Sequence, residues 1–181
     1  IEFSWAGETA RHVGSVVHRW LQRIAEDGLA GWDDARIAAL HERFRGQLAL
    51  RGVPSDELPD AVARAARALA RTLADPRGRW LLGAQQDARN EYRITALRDG
   101  RVLDLVIDRL FRDADGRQWI VDYKTSSHEG AEVEAFLDRE RARYAAQLAR
   151  YAEAVGRNGA RGIMLGLYFP LLGGWREWEF R

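Results

Sequence analysis

The sequence predicts an α/β fold in which a mixed sheet is covered by helices, and three observations carry the prediction. Apolar residues recur at helical intervals through the first part of the chain. From about residue 88 they alternate at the two-residue period of strands, interrupted by Asp-Gly turns. A second helical stretch then leads into an almost wholly apolar strand.

Between Gly7 and Gly28, Val13, Val16, Val17, Trp20, Leu21 and Ile24 fall on one helix face with charges between them, and His18 lies near that seam. A second helix is predicted from about Asp33 to Leu50. The segment from Val53 to Pro59 breaks it, and an alanine-rich third helix follows from about Asp60 to Ala74, with Arg64, Arg67 and Arg71 in one stripe. Pro76 and Gly78 end it, and a short turn leads to Leu82. Asn90 to Leu97 reads as a strand, Asp99-Gly100 as a hairpin turn, and Arg101 to Phe111 as the returning strand. Asp115-Gly116 supplies the next turn, and Gln118 to Thr125 completes a three-stranded meander. Helical spacing resumes from Ala131 to Val155, with Phe136, Leu137, Tyr144, Leu148 and Tyr151 on its apolar side, and Gly156 and Asn158-Gly159 stop it. Gly162 to Phe169 has the composition of a strand buried on both faces, and Pro170 and Gly173-Gly174 turn the chain into a last strand, Trp175 to Phe180.

One domain over residues 1–181 is expected, with a mainly helical segment, 1–83, carrying His18 and a sheet-containing core, 88–181. A start at Ile1 rather than methionine suggests a piece of a larger protein. Zero cysteines exclude a disulfide framework, a thiolate nucleophile and a Cys-based zinc or iron-sulfur site, and suit a reducing, cytoplasmic setting. No run approaches the roughly 20 apolar residues that span a bilayer, so no membrane partner is expected. The formal charge of +1 gives no global field toward nucleic acid, and any polyanion site must be a local patch.

The chemistry gathers around the single lysine. Among 28 basic residues only Lys124 is not arginine, and it stands two places after Asp122 in the run Trp119 to Thr125. An ammonium can give or take a proton where a guanidinium cannot. Strand alternation puts Asp122 and Lys124 on one face, about 7 Å apart, with the Tyr123 carbonyl between them. Asp108 ends the apolar run Leu105 to Ile107 on the preceding strand, so the short turn lets Asp108 and Asp122 meet. Two carboxylates in a partly dry setting repel unless a cation compensates them, and a hard divalent ion is the ordinary solution. Magnesium or manganese there would polarise a phosphate and acidify water, while Lys124 orients the attacking water or offsets charge on phosphorus. The competing reading is an exposed Asp122–Lys124 pair worth a fraction of a kcal/mol; the apolar flanks of both aspartates argue against it.

With these residues the chain resembles the nuclease domain of the RecB and AddA type, a branch of the PD-(D/E)xK superfamily with a restriction-endonuclease-like fold. The matching pieces are Gly14-Ser-Val-Val-His18, Asn90-Glu91-Tyr-Arg, Val106-Ile-Asp108-Arg-Leu, Ile120-Val-Asp122-Tyr-Lys124-Thr and Gln147-Leu-Ala-Arg-Tyr151, in the family's order. The resemblance implies one magnesium or manganese ion held by His18, Asp108, Asp122 and the Tyr123 carbonyl, with Lys124 catalytic. It puts Glu91 near the metal or behind its ligands, and Gln147 and Tyr151 on the helix that orders the site and touches DNA. It further implies DNA, single-stranded or unwound from a duplex end, as substrate. Helicase domains of the same polypeptide, and a second helicase-nuclease subunit, are the implied partners. His18 would have to be neutral to bind metal, so activity is expected to fall below about pH 6. Leu105 departs from the family, which often has glycine there, and this bears on how DNA fits.

Other residues carry weaker expectations. The stripe of Arg64, Arg67 and Arg71 and the cluster of Arg139, Arg141 and Arg143 are candidates for phosphate contact, although charged helix faces are usually just solvated. Trp5, Trp20 and Trp119 are expected to fill core or cover an edge, and Trp175 and Trp178 are candidates to pack on a neighbouring domain.

Overall fold

The computed structural model describes residues 2–98, 100–126, 132–156 and 162–181. Asp99 of the predicted hairpin turn, Ala131 at the predicted helix start and the Asn158-Gly159 stop lie outside them. The fold class is the one the sequence predicts: an α/β fold with N-terminal helices and a central mixed sheet flanked by helix. The order is α1 (Glu2–Glu26), α2 (Asp34–Ala39), α3 (His41–Ala49), α4 (Leu58–Ala74), α5 (Pro76–Leu82), β1 (Gln86–Arg98), β2 (Arg101–Arg112), β3 (Gln118–Tyr123), α6 (Val133–Gly156), β4 (Ile163–Phe169) and β5 (Gly174–Glu179). The chain divides into two compact units, one built on α1–α5 with the Lys124 and Phe169–Gly173 segments, the other on the sheet and α6.

In the helical unit, Val13, Val16, Val17, Leu21 and Ile24 are all buried, as their spacing on α1 predicts. Ala61, Ala65 and Ala68 of α4 are buried beside Leu69, and their small side chains let α1 and α3 pack closely on α4. Trp20 packs edge-on against Trp32 and Phe44, and its Nε1 donates to Gln47 Oε1 at 2.9 Å. Two boundaries differ from expectation. The helix predicted over 33–50 is two helices divided at Leu40, which ends α2 and starts α3 at φ −92° and ψ −1°. The predicted turn after Pro76 is helix α5, because proline at a first helical position starts a helix rather than ending one, and Asp75 caps it by accepting from the Arg77 amide. Two arginines of the α4 stripe serve the fold: Arg64 donates to the Thr125 carbonyl at 3.4 Å and Arg71 to that of Leu171.

In the sheet unit the strands lie in the order β1-β2-β3-β4-β5. β1–β2 and β2–β3 are antiparallel and β3–β4 parallel, with α6 as the crossover between the last two. Every residue of β3 is buried, as befits the middle strand. Trp119 stacks near Phe111 and Trp175, and Trp175 lies so close over Gly166 that an added Cβ would stand 2.2 Å from its ring. Trp175 therefore packs within its own unit, contrary to the neighbouring-domain expectation, while Trp178 lies beneath the Arg141 guanidinium. The β2–β3 turn is tied by Asp113, which accepts from Trp119 Nε1 at 2.7 Å and from the amides of Asp115 and Arg117. Among the described residues no helix is long and apolar enough to cross a membrane.

Candidate metal centre

The acidic residues meet where the sheet forks. β2 and β3 pair from Arg112↔Gln118 to Arg109↔Val121 and no further, although β2 runs on beside β1 and β3 beside β4. One step past the last pair stand Asp108 and Asp122. There the ladder gives way to a side chain: Asp108 Oδ2 accepts from the backbone N–H of Tyr123 at 2.7 Å. On the other side, Asn90↔Arg109 and Tyr92↔Ile107 bracket Glu91 opposite Asp108. Glu91, Asp108 and Asp122 thus form one row across three strands.

Glu91 has φ 47°, left-handed backbone inside a strand. A non-glycine residue pays about 1–2 kcal/mol for that conformation, and such strain collects at functional sites because it re-aims a side chain. Glu91 and Asp108 each offer a carboxylate oxygen, the two within 4.8 Å of one another, and both residues are half-buried. Two carboxylates that close suit a hard divalent cation. His18 is half-buried on α1, in the helical unit.

Asp122 is 4% exposed in β3, opposite Leu167 of β4. Lys124 follows β3 directly and is half-buried; the strand predicted to reach Thr125 ends at Tyr123. Gln147 and Tyr151 share one side of α6, and Gln147 Nε2 donates to the Tyr151 hydroxyl at 2.7 Å. The Tyr123 side chain is buried and its pKa is pushed up, by burial first.

Two features escaped sequence reasoning. Arg109 is 2% exposed, donates to Asn90 Oδ1 at 2.8 Å and lies over the Phe111 ring, with its pKa lowered by burial. An arginine beside an aspartate in a strand reads as an ordinary surface charge, so nothing in the sequence marks it. Gly14 is so close to Thr125 that an added Cβ would stand 2.7 Å from Thr125 Oγ1. A glycine one helical turn before His18 was the available signal.

In sequence, the family model of the PD-(D/E)XK nuclease superfamily matches residues 5–173. No curated protein matches the chain. Among solved structures, one described as the crystal structure of SSO0001 is similar at 17% identity and a TM-score of 0.35, covering 89% of this chain and 75% of that one.

Proposed function

The chain belongs to the PD-(D/E)XK nuclease superfamily, and from that premise we propose that it is a magnesium- or manganese-dependent deoxyribonuclease leaving 5′-phosphate and 3′-hydroxyl ends. The observation that carries this reading is the Glu91–Asp108 pair, whose carboxylate oxygens lie within 4.8 Å of one another, with Asp122 at the same sheet fork and Lys124 next in the chain after β3.

His18, Glu91 and Asp108 would hold the ion, with Asp122 and the Tyr123 carbonyl as further ligands. When bound, the ion supplies Lewis-acid stabilisation of the phosphate and acidifies water. The imidazole of His18 stays neutral to ligate. Asp108 also fixes the Asp122–Tyr123 peptide through its hydrogen bond with the Tyr123 amide. The Lys124 ammonium orients the attacking water and offsets negative charge on the pentacovalent phosphorus. The water oxygen bonds to phosphorus in line as the bond to the 3′ oxygen breaks; the water's proton leaves to solvent, and the 3′ oxygen takes one up. Gln147 and Tyr151, joined by their hydrogen bond, order the site from α6 and contact DNA.

The sequence pieces from Gly14 to Tyr151 support the finer reading of a RecB/AddA-type domain, residues 1–181, of a cytoplasmic helicase-nuclease. Its substrate is a single strand delivered by helicase domains of the same polypeptide, with a second helicase-nuclease subunit as partner. The test is degradation of linear single-stranded DNA with magnesium or manganese, comparing the chain with Lys124→Ala and Asp122→Ala. Degradation by the parent chain alone supports the proposal. Activity absent from all three, with metal still bound in calorimetry, makes the fold a non-catalytic DNA-binding or helicase-bracing module.

A further inference from the structure

Within the helical unit, α1 and the α2–α3 pair border an open groove of about 1200 Å³. Arg19, Arg23, Arg36 and Arg43 line it, against one lining acid, Glu26, in a chain whose formal charge is only +1. Their roles differ. Arg23 and Arg36 each reach Asp27 at 3.3 Å, and Arg36 also lies 3.9 Å over the Trp32 ring, so Arg36 mainly fastens α2. Arg19 and Arg43 are exposed, and no carboxylate pairs with either among the described residues.

The groove is not purely ionic. Trp20 presents a half-buried ring held by Gln47, and Leu50, 89% exposed, is the most exposed large apolar residue described. Gly46 lines the groove from the middle of α3, where an added Cβ would meet nothing within 4 Å. Alanine would fit there and would stabilise the helix by about 1 kcal/mol. The glycine therefore has no packing reason; what it does is leave the α3 backbone open to the groove. Cations for phosphates beside apolar and aromatic groups for bases is the combination that single strands bind. On α1 the groove takes up the turn after His18, with Arg19, Gln22 and Arg23 in its lining.

We propose that this groove is a second contact surface for a single-stranded DNA backbone, with Arg19 and Arg43 on phosphates and Leu50 and Trp20 against bases. That the strand is DNA rests on the nuclease reading, so the test measures binding without catalysis. A fluorescent oligothymidylate of about 12 nucleotides, within the usual site sizes for single strands, is titrated in EDTA with the parent chain, Arg19→Gln/Arg43→Gln, Gly46→Ala and Arg45→Gln, an exposed arginine of α3 outside the groove lining. The double variant should bind at least about tenfold more weakly, with a salt slope smaller by about 1.4, two phosphates at roughly 0.7 each. Gly46→Ala should melt higher yet bind more weakly, and Arg45→Gln should bind like the parent. Parental affinity and salt slope in the double variant overturn the proposal. Displacement of the oligonucleotide by polyglutamate of equal charge at equal concentration overturns it in favour of an acidic peptide partner. Nuclease activity is not read in this assay, so failure of the nuclease reading leaves its outcome independent.

Discussion

The Asp108 carboxylate accepts a 2.7 Å hydrogen bond from the Tyr123 amide at the point where β2 and β3 stop pairing. One side chain thus closes the fork between two strands and, beside the Glu91 carboxylate, offers itself to a metal. Asp108→Asn keeps the shape and one oxygen able to accept from Tyr123, so its melting temperature should stay close to the parent's. Manganese affinity by calorimetry should fall at least about tenfold, the lower end of what even outer-sphere substitutions cost. A melting temperature and an affinity that fell together would make Asp108 a structural residue.

Glu91 sits at φ 47° inside β1. Glycine adopts that geometry freely, so Glu91→Gly should leave stability unchanged or raise it by up to about 1 kcal/mol, even though glycine usually weakens a strand. Nuclease activity should be lost. Urea denaturation measures the first and degradation of single-stranded DNA the second; a clear loss of stability would contradict the strain assigned to this residue.

Gly14 leaves no room for a side chain, because a Cβ would meet Thr125 Oγ1 at 2.7 Å. Gly14→Ala gains helix propensity of about 1 kcal/mol in α1 but displaces Thr125, the neighbour of Lys124. Activity should drop while the melting temperature holds, and Gly14→Ala/Thr125→Gly should recover part of the activity. No recovery would mean that the close approach is incidental.

The Asp113 carboxylate is held below the usual range: burial alone pushes its pKa up, but Trp119 Nε1, the Arg117 and Asp115 amides and the Arg117 guanidinium outweigh it. A folded-state value below the unfolded one gives stability that is present above the unfolded pKa, near 3.8, and lost as pH falls through the folded value. Asp113→Ala should therefore cost about 1–3 kcal/mol at neutral pH, by stranding buried donors. Its deficit should shrink below pH 3.8. Chemical denaturation at pH 7 and at pH 3 checks this, and a deficit independent of pH would contradict the assignment.

Much of this was legible in the sequence because period and punctuation are local. Valines and Leu21 at helical spacing marked α1, and alternation between Asp-Gly turns marked the meander with nearly correct register. Since Asp108 and Asp122 end apolar runs on joined strands, their meeting at the fork followed from the turn length alone. The rest depended on contacts distant in sequence or on backbone geometry. Nothing local separates Pro76 as a helix start from Pro76 as a stop, and no composition signals the left-handed backbone of Glu91 beside Asp108. Arg109 was invisible for the same reason: its burial comes from the sheet around it, whereas its neighbours in the chain look ordinary.

The central claim is that His18, Glu91 and Asp108 grip one divalent ion. Anomalous scattering from crystals soaked in manganese tests it most directly. The account predicts a single strong peak about 2.0–2.4 Å from one ligand atom of each of the three residues, the range for hard divalent ions. A peak elsewhere, or none at saturating manganese, would contradict it.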